Sequence, residues 1–255
     1  MNWFASKCPV TDEERLWIED ASRWLIEEFG LEVVQNAEVI LPTEDFFPDK
    51  YFGGREDVLP MLKRVCGYMD VDYSNLSLRF YSEHNESFCK NLIALETSGQ
   101  GTVGYYQNRK RKPTIGIEIS QLNDPTSVVA TIARELGHVI LLGENRVSYQ
   151  EADHEPLTDL LTVFLGMGVF TANSAFTFRQ WTDTFSQGWQ AQVKGYLSEE
   201  MFGYALALFA WIRKEKKPEW SRYLVTNVKS YFKQSRRYIE KNESALLEEL
   251  KSVVA

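Results

Sequence analysis

Apolar positions recur at helical spacing between residues 12 and 29. Leu16, Trp17, Ile18, Trp24, Leu25, Ile26 and Phe29 mark an amphipathic helix, and Gly30 is placed to stop it. Residues 31–41 are apolar and β-branched up to Pro42, the pattern of a strand. Pro, Gly, Asp and aromatic residues crowd 42–54, which predicts a loop. Glu56 to Met69 predicts a second helix, and Leu76 to Tyr81 alternates as a strand does. Thr102–Gln107 and Thr114–Ser120 predict two strands joined by a basic turn, Arg109-Lys110-Arg111-Lys112. In the second of these, Ile115, Ile117 and Ile119 alternate with Gly116, Glu118 and Ser120, so one packed face and one open face are expected.

The pattern then turns helical for the rest of the chain. Asp124 and Pro125 form an N-cap and first helical position, with the helix running to about Leu142 and ending at Gly143. A second helix starts near Glu155-Pro156. From Leu157 to Phe170 it is apolar nearly all round, as a helix buried on most sides must be. Ser198-Glu199-Glu200 predicts a cap before a helix over 201–212. Pro218 breaks the chain, and a basic amphipathic helix follows to about Lys241. In residues 219–240 an apolar stripe (Trp220, Tyr223, Leu224, Val228, Tyr231, Phe232) is backed by Lys and Arg, which suits a packing helix or an interaction surface. The order helix, strands, helices is an α+β pattern. One domain over 1–255 is expected, with an α+β lobe over 1–122 and a mainly helical lobe over 123–255.

Charge narrows the partners. The 255 residues carry a net charge of −8, which argues against broad nucleic-acid or anionic-membrane binding. No uninterrupted apolar stretch of about 18 residues occurs, so no membrane span is expected. Cys8, Cys66 and Cys89 are scattered without a C-x-x-C, which argues against a thiolate zinc site and suits a reducing, cytoplasmic setting. The N-terminus lacks a long apolar core, so no signal peptide is expected.

The chemistry concentrates in two consecutive helices. Thr131, Arg134, Glu135 and His138 fall within one arc of about 100° on the first, opposite an apolar side that includes Ile132, Leu136 and Ile140. Alone, this is an ordinary solvated polar face. The second helix carries Glu155 and, one turn on, Asp159 inside its apolar run. A carboxylate buried there needs a charged or strongly donating partner. His84 lies in a polar stretch, Ser82 to Glu86, and is expected to be solvated. Gly99-Gln100-Gly101 lacks the Lys and helix of a phosphate loop.

Arg134-Glu135-x-x-His138 followed by Glu155-x-x-x-Asp159 resembles the H-E-x-x-H and E-x-x-x-D pattern of the gluzincin branch of the zincin metallopeptidases, over residues 114–167. The stretch from His154 to Gly166 is also similar to uncharacterised bacterial proteins. The resemblance implies a zincin-like fold: a small twisted sheet, a motif helix beneath it and a helical C-terminal half. It implies Glu135 as general base, His138 and Glu155 as zinc ligands, Asp159 as the carboxylate that orients a ligand, and 114–120 as the strand lining a peptide cleft.

Arg134 departs from the pattern, standing where the first His ligand belongs. Arginine stays protonated and offers no lone pair, so it cannot bind zinc. His138 and Glu155 alone are too few for a tight site. His154 could be recruited, but neighbouring residues at a helix start tend to point apart. The expectation is a metal-free site in which buried Arg134 replaces the metal's charge and pairs with Glu155, Asp159 or both. No cofactor is then expected, and the function is a non-catalytic binding or regulatory module for a peptide or protein partner. The alternative is a zinc-dependent metallopeptidase with an altered site and Glu135 as general base. Whether Arg134 is natural or engineered, and the oligomeric state, stay open.

Overall fold

The computed structural model describes residues 7–82, 112–183 and 197–242. In chain order the helices are α1 (Asp12–Phe29), α2 (Leu31–Asn36), α3 (Arg55–Tyr68), α4 (Pro125–His138), α5 (His154–Phe164), α6 (Gly168–Asp183), α7 (Glu199–Ile212) and α8 (Thr226–Lys241). Two strands, β1 (Ser77–Tyr81) and β2 (Thr114–Glu118), lie between α3 and α4. The coarse class is mixed helix and small sheet, with helix predominant. The chain divides into two compact units, residues 1–42 with 149–255 and residues 43–148. The expected lobe boundary at 122/123 falls inside the second unit. The predicted strand 102–107, the turn residues Arg109 to Arg111, His84, Gly99 to Gly101 and Cys89 lie outside the described residues.

In the unit built from both ends of the chain, α1 begins with a capping box. Thr11 accepts from the Glu14 N–H, and the Glu14 side chain reaches back to the Thr11 backbone. Ile18, Ser22, Leu25 and Ile26 form its buried face, against α5 and α7. The predicted strand over 31–41 is instead the short helix α2 followed by irregular chain. The reason is distant in sequence. Arg213 Nη1 donates to the carbonyls of Val34, Gln35 and Ala37 at 2.8, 3.0 and 2.8 Å, which satisfies acceptors that a helix end leaves open.

The apolar run from Leu157 to Phe170 is two helices rather than one. Gly166 breaks it in the left-handed region (φ 84°), and a Cβ there would lie 2.1 Å from the Glu38 carbonyl oxygen. The Gly166 carbonyl accepts the Ile40 N–H at 3.0 Å. Expected burial of the first part holds: Pro156 through Phe164 are all buried. Ser198 caps α7 by accepting the Met201 N–H, as predicted. At Gly203 the backbone of α8 comes close enough that a Cβ would meet Tyr231 Cβ at 2.5 Å.

In the other unit, β1 and β2 pair in parallel, with Leu78 opposite Ile115 and Phe80 opposite Ile117. The expected open face of β2 is absent: Ile115 through Glu118 are all buried. Glu118 is accommodated because its carboxylate accepts the Ser120 N–H at 2.6 Å and the Ser120 hydroxyl. Residues 119–123 turn into 3-10 helix, so Ile119 and Ser120 do not continue the strand. Asp124 caps α4 through the Thr126 N–H, with Pro125 in the first turn, as predicted. α4 packs on α3 and β2. Residues 125–143 are long and apolar enough to cross a membrane, yet this stretch is mostly buried inside the protein and carries Arg134, Glu135 and His138. It is the core helix of its unit.

Candidate functional site

Helix α4 supplies the first half of the motif. Arg134 is buried at 5% exposure, while Thr131, Glu135 and His138 are partly buried. The polar arc is therefore no solvated surface at Arg134. One turn along the same helix, Arg134 Nη1 lies 3.3 Å from His138 Nε2. A guanidinium only donates, so Nε2 is the acceptor and the ring proton sits on Nδ1. Thr131, also on this arc, donates its hydroxyl to Gln121 Oε1 at 3.0 Å.

The α-helix ends at His138, four residues before the predicted end. Val139–Gly143 follows as a π-helical turn with Ile140, Leu141 and Leu142 all buried. A wider turn advances each residue by a smaller angle, which keeps three successive apolar side chains nearer one face. Such turns are often found at functional sites.

Helix α5 supplies the second half. It starts at His154, one residue earlier than predicted, with Asp153 before it. The Asp153 carboxylate accepts Trp17 Nε1–H at 3.0 Å and so does not cap the helix with its side chain. His154 and Glu155 do not diverge as expected: Nδ1 lies 3.5 Å from Oε1, and both side chains are largely shielded. The Tyr149 ring stands edge-on to His154 at 5.8 Å. Thr158 donates to the His154 carbonyl at 2.8 Å, tying the first turn together.

Asp159 is buried at 2% exposure, and its Oδ2 accepts the Leu197 N–H at 2.9 Å. A backbone donor from just before α7 thus provides part of what a buried carboxylate requires, a partner that the sequence did not point to. Glu135 and Glu155 are partly buried.

A second buried polar cluster escaped the sequence reading. Glu19 is 2% exposed on α1 and accepts from Arg15 Nη1 at 2.8 Å and from the Tyr204 hydroxyl of α7. Tyr204 is itself fully buried. Burial, then the hydrogen bond to Glu19, raises the Tyr204 pKa. Arg15 is held protonated by Glu19 despite its partial burial. The available signal was positional: Glu19 falls beside Ile18 and one turn from Ser22 on the buried side of α1. Cys8 and Cys66 are free thiols. Burial pushes Cys66 up to about 11.

The chain matches no protein-family model, no curated protein and no solved structure.

Proposed function

We propose that this is a zincin-like, metallopeptidase-related protein whose zinc site has been converted into an arginine-centred one, and that it acts as a non-catalytic binding or regulatory module for a peptide or protein partner. The observation that carries this reading is the contact between Arg134 and His138 Nε2 at 3.3 Å. It engages the lone pair that a metal would take, and Arg134 is shielded from water, where hydrogen bonds and charge count for more. In this reading Arg134 brings to Glu135, Glu155 and Asp159 the positive charge that zinc would bring. Burial of Arg134 supports the exchange, because an isolated guanidinium would not be stable there without counter-charge.

A second reading has its own support. His154 and Glu155 lie together at the start of α5, with Nδ1 3.5 Å from Oε1, and in this reading they hold a metal ion with His138 as the further ligand that the gluzincin pattern implies. Two imidazoles and one carboxylate suit zinc, and Glu135 would then act as general base on metal-bound water.

Elemental analysis after incubation with zinc and gel filtration decides between them. The wild type is expected to retain less than about 0.1 zinc per chain, against about one for a site with three protein ligands. Arg134→His is expected to raise retention toward one zinc per chain. A wild type that keeps one zinc, and loses it in His154→Ala, overturns the first reading in favour of the second.

A further inference from the structure

The unit built from both ends of the chain holds an open groove of about 670 Å³, lined by the segment before α8 and by one face of α8. Phe232, 3% exposed, contributes to its lining and is backed by the Trp220 ring at 5.3 Å. Seven cationic side chains line this groove against two carboxylates, Glu219 and Glu240. Arg236 pairs with Glu240 at 3.4 Å. Lys216, Lys217, Lys233 and Arg237 are exposed and have no ion-pair partner among the described residues. The chain as a whole carries a net charge of −8, so this positive charge is a local concentration and not a reflection of composition.

The cations are also placed against the helix's own interest. Lys229, Lys233 and Arg237 follow one another at i, i+4 and i+8, so like charges face each other one turn apart. Lys229 is the fourth residue of α8, near the end where the helix dipole disfavours a cation. Lys229 Nζ donates to the Arg222 carbonyl at 3.2 Å, and Lys233 and Arg237 are exposed on α8. Its buried positions are Val228, Phe232, Ser235 and Ile239. A concave site lined by one sign of charge concentrates the opposite ion. The volume falls within the range of about 300–1,000 Å³ usual for small-ligand sites. Arg236 is laid over the Phe232 ring at 5.9 Å and is partly buried, so its planar fork is held in place while the lysines supply mobile point charges.

We propose that this groove is a binding site for a small polyanion bearing two or more phosphate groups. An extended nucleic-acid strand fits less well, because it would run beyond the groove onto a chain whose remaining charge is strongly acidic. The site uses none of Arg134, Glu135, His138, His154 or Glu155 and stands whatever becomes of the metal question.

Titration calorimetry of the full chain with inorganic tripolyphosphate tests it. Saturable one-to-one binding is expected at about micromolar strength in low salt, weakening at least about tenfold as ionic strength rises and the charges are screened. Lys233→Gln combined with Arg237→Gln is expected to weaken it at least about tenfold with an unchanged circular dichroism spectrum, while Lys50→Gln leaves it unaltered. Binding weaker than millimolar, or wild-type binding in the double variant, overturns the proposal. So does tighter binding of a single-stranded oligonucleotide than of tripolyphosphate, which would make the groove a nucleic-acid site.

Discussion

At the scale of single residues, the protein is organised by polar groups withdrawn from water and then given partners. Arg134 with His138, Asp159 with the Leu197 N–H, and Glu19 with Arg15 and Tyr204 all follow this rule. The Glu19 cluster gives the sharpest test. Tyr204→Phe removes one hydroxyl donor and leaves a buried carboxylate oxygen short of a hydrogen bond. It is expected to destabilise the fold by about 1–3 kcal/mol in urea denaturation. A loss under about 0.5 kcal/mol would mean that water or another donor replaces the hydroxyl. Spacing made Arg134, Glu135, His138, Glu155 and Asp159 stand out, because a motif is a matter of local intervals. It did not reveal the Asp159 partner, since Leu197 lies 38 residues away. Nor did it foresee that the His154 and Glu155 side chains would approach each other.

At the scale of elements, helix ends carry the argument. α4 and α7 begin where Asp124 and Ser198 mark their caps, and α1 begins at residue 12 as its periodicity predicts, with Thr11 added as its cap by the structure; each cap is satisfied within three residues. α2 and the break before α6 were not legible. The Val-rich segment 31–36 is helical because Arg213 covers the carbonyls at its end, and Gly166 interrupts an apolar run because the 38–40 strap passes against it. Both accounts can be checked by mutation. Arg213→Met keeps much of the aliphatic stem and strips three carbonyls of their donor. About 2–3 kcal/mol of stability is expected to go, with the amides of 31–36 exchanging faster than those of α7. Gly166→Ala adds a Cβ against the Glu38 carbonyl at a positive φ, and a loss of more than about 2 kcal/mol is expected. A neutral Gly166→Ala would show that the 38–40 segment can move aside at little cost.

For the whole molecule, stability should respond to alkali before it responds to the acidic net charge. The Tyr204 hydroxyl and the Cys66 thiol both keep their protons longer in the folded chain than in the unfolded one, from ordinary values of 10.0 and 9.0. Their contribution is complete below those values. It declines as pH rises, from near 9 for Cys66 and from near 10 for Tyr204, at up to about 1.4 kcal/mol per pH unit per group. Urea midpoints measured from pH 8 to 11 are expected to fall accordingly. Cys66→Ala should remove the earlier part of the decline, and a slope unchanged in that variant would count against it. Helical periodicity, capping residues and motif spacing could be read along the chain, because they depend on contacts within about four residues. Three matters were settled only in three dimensions: the helical state of 31–36, the burial of Glu118 on a strand face that looked open, and the gathering of separate basic residues around one groove. Burial and charge density depend on which distant segments pack together, and hydrophobic pattern along the chain does not encode that partner.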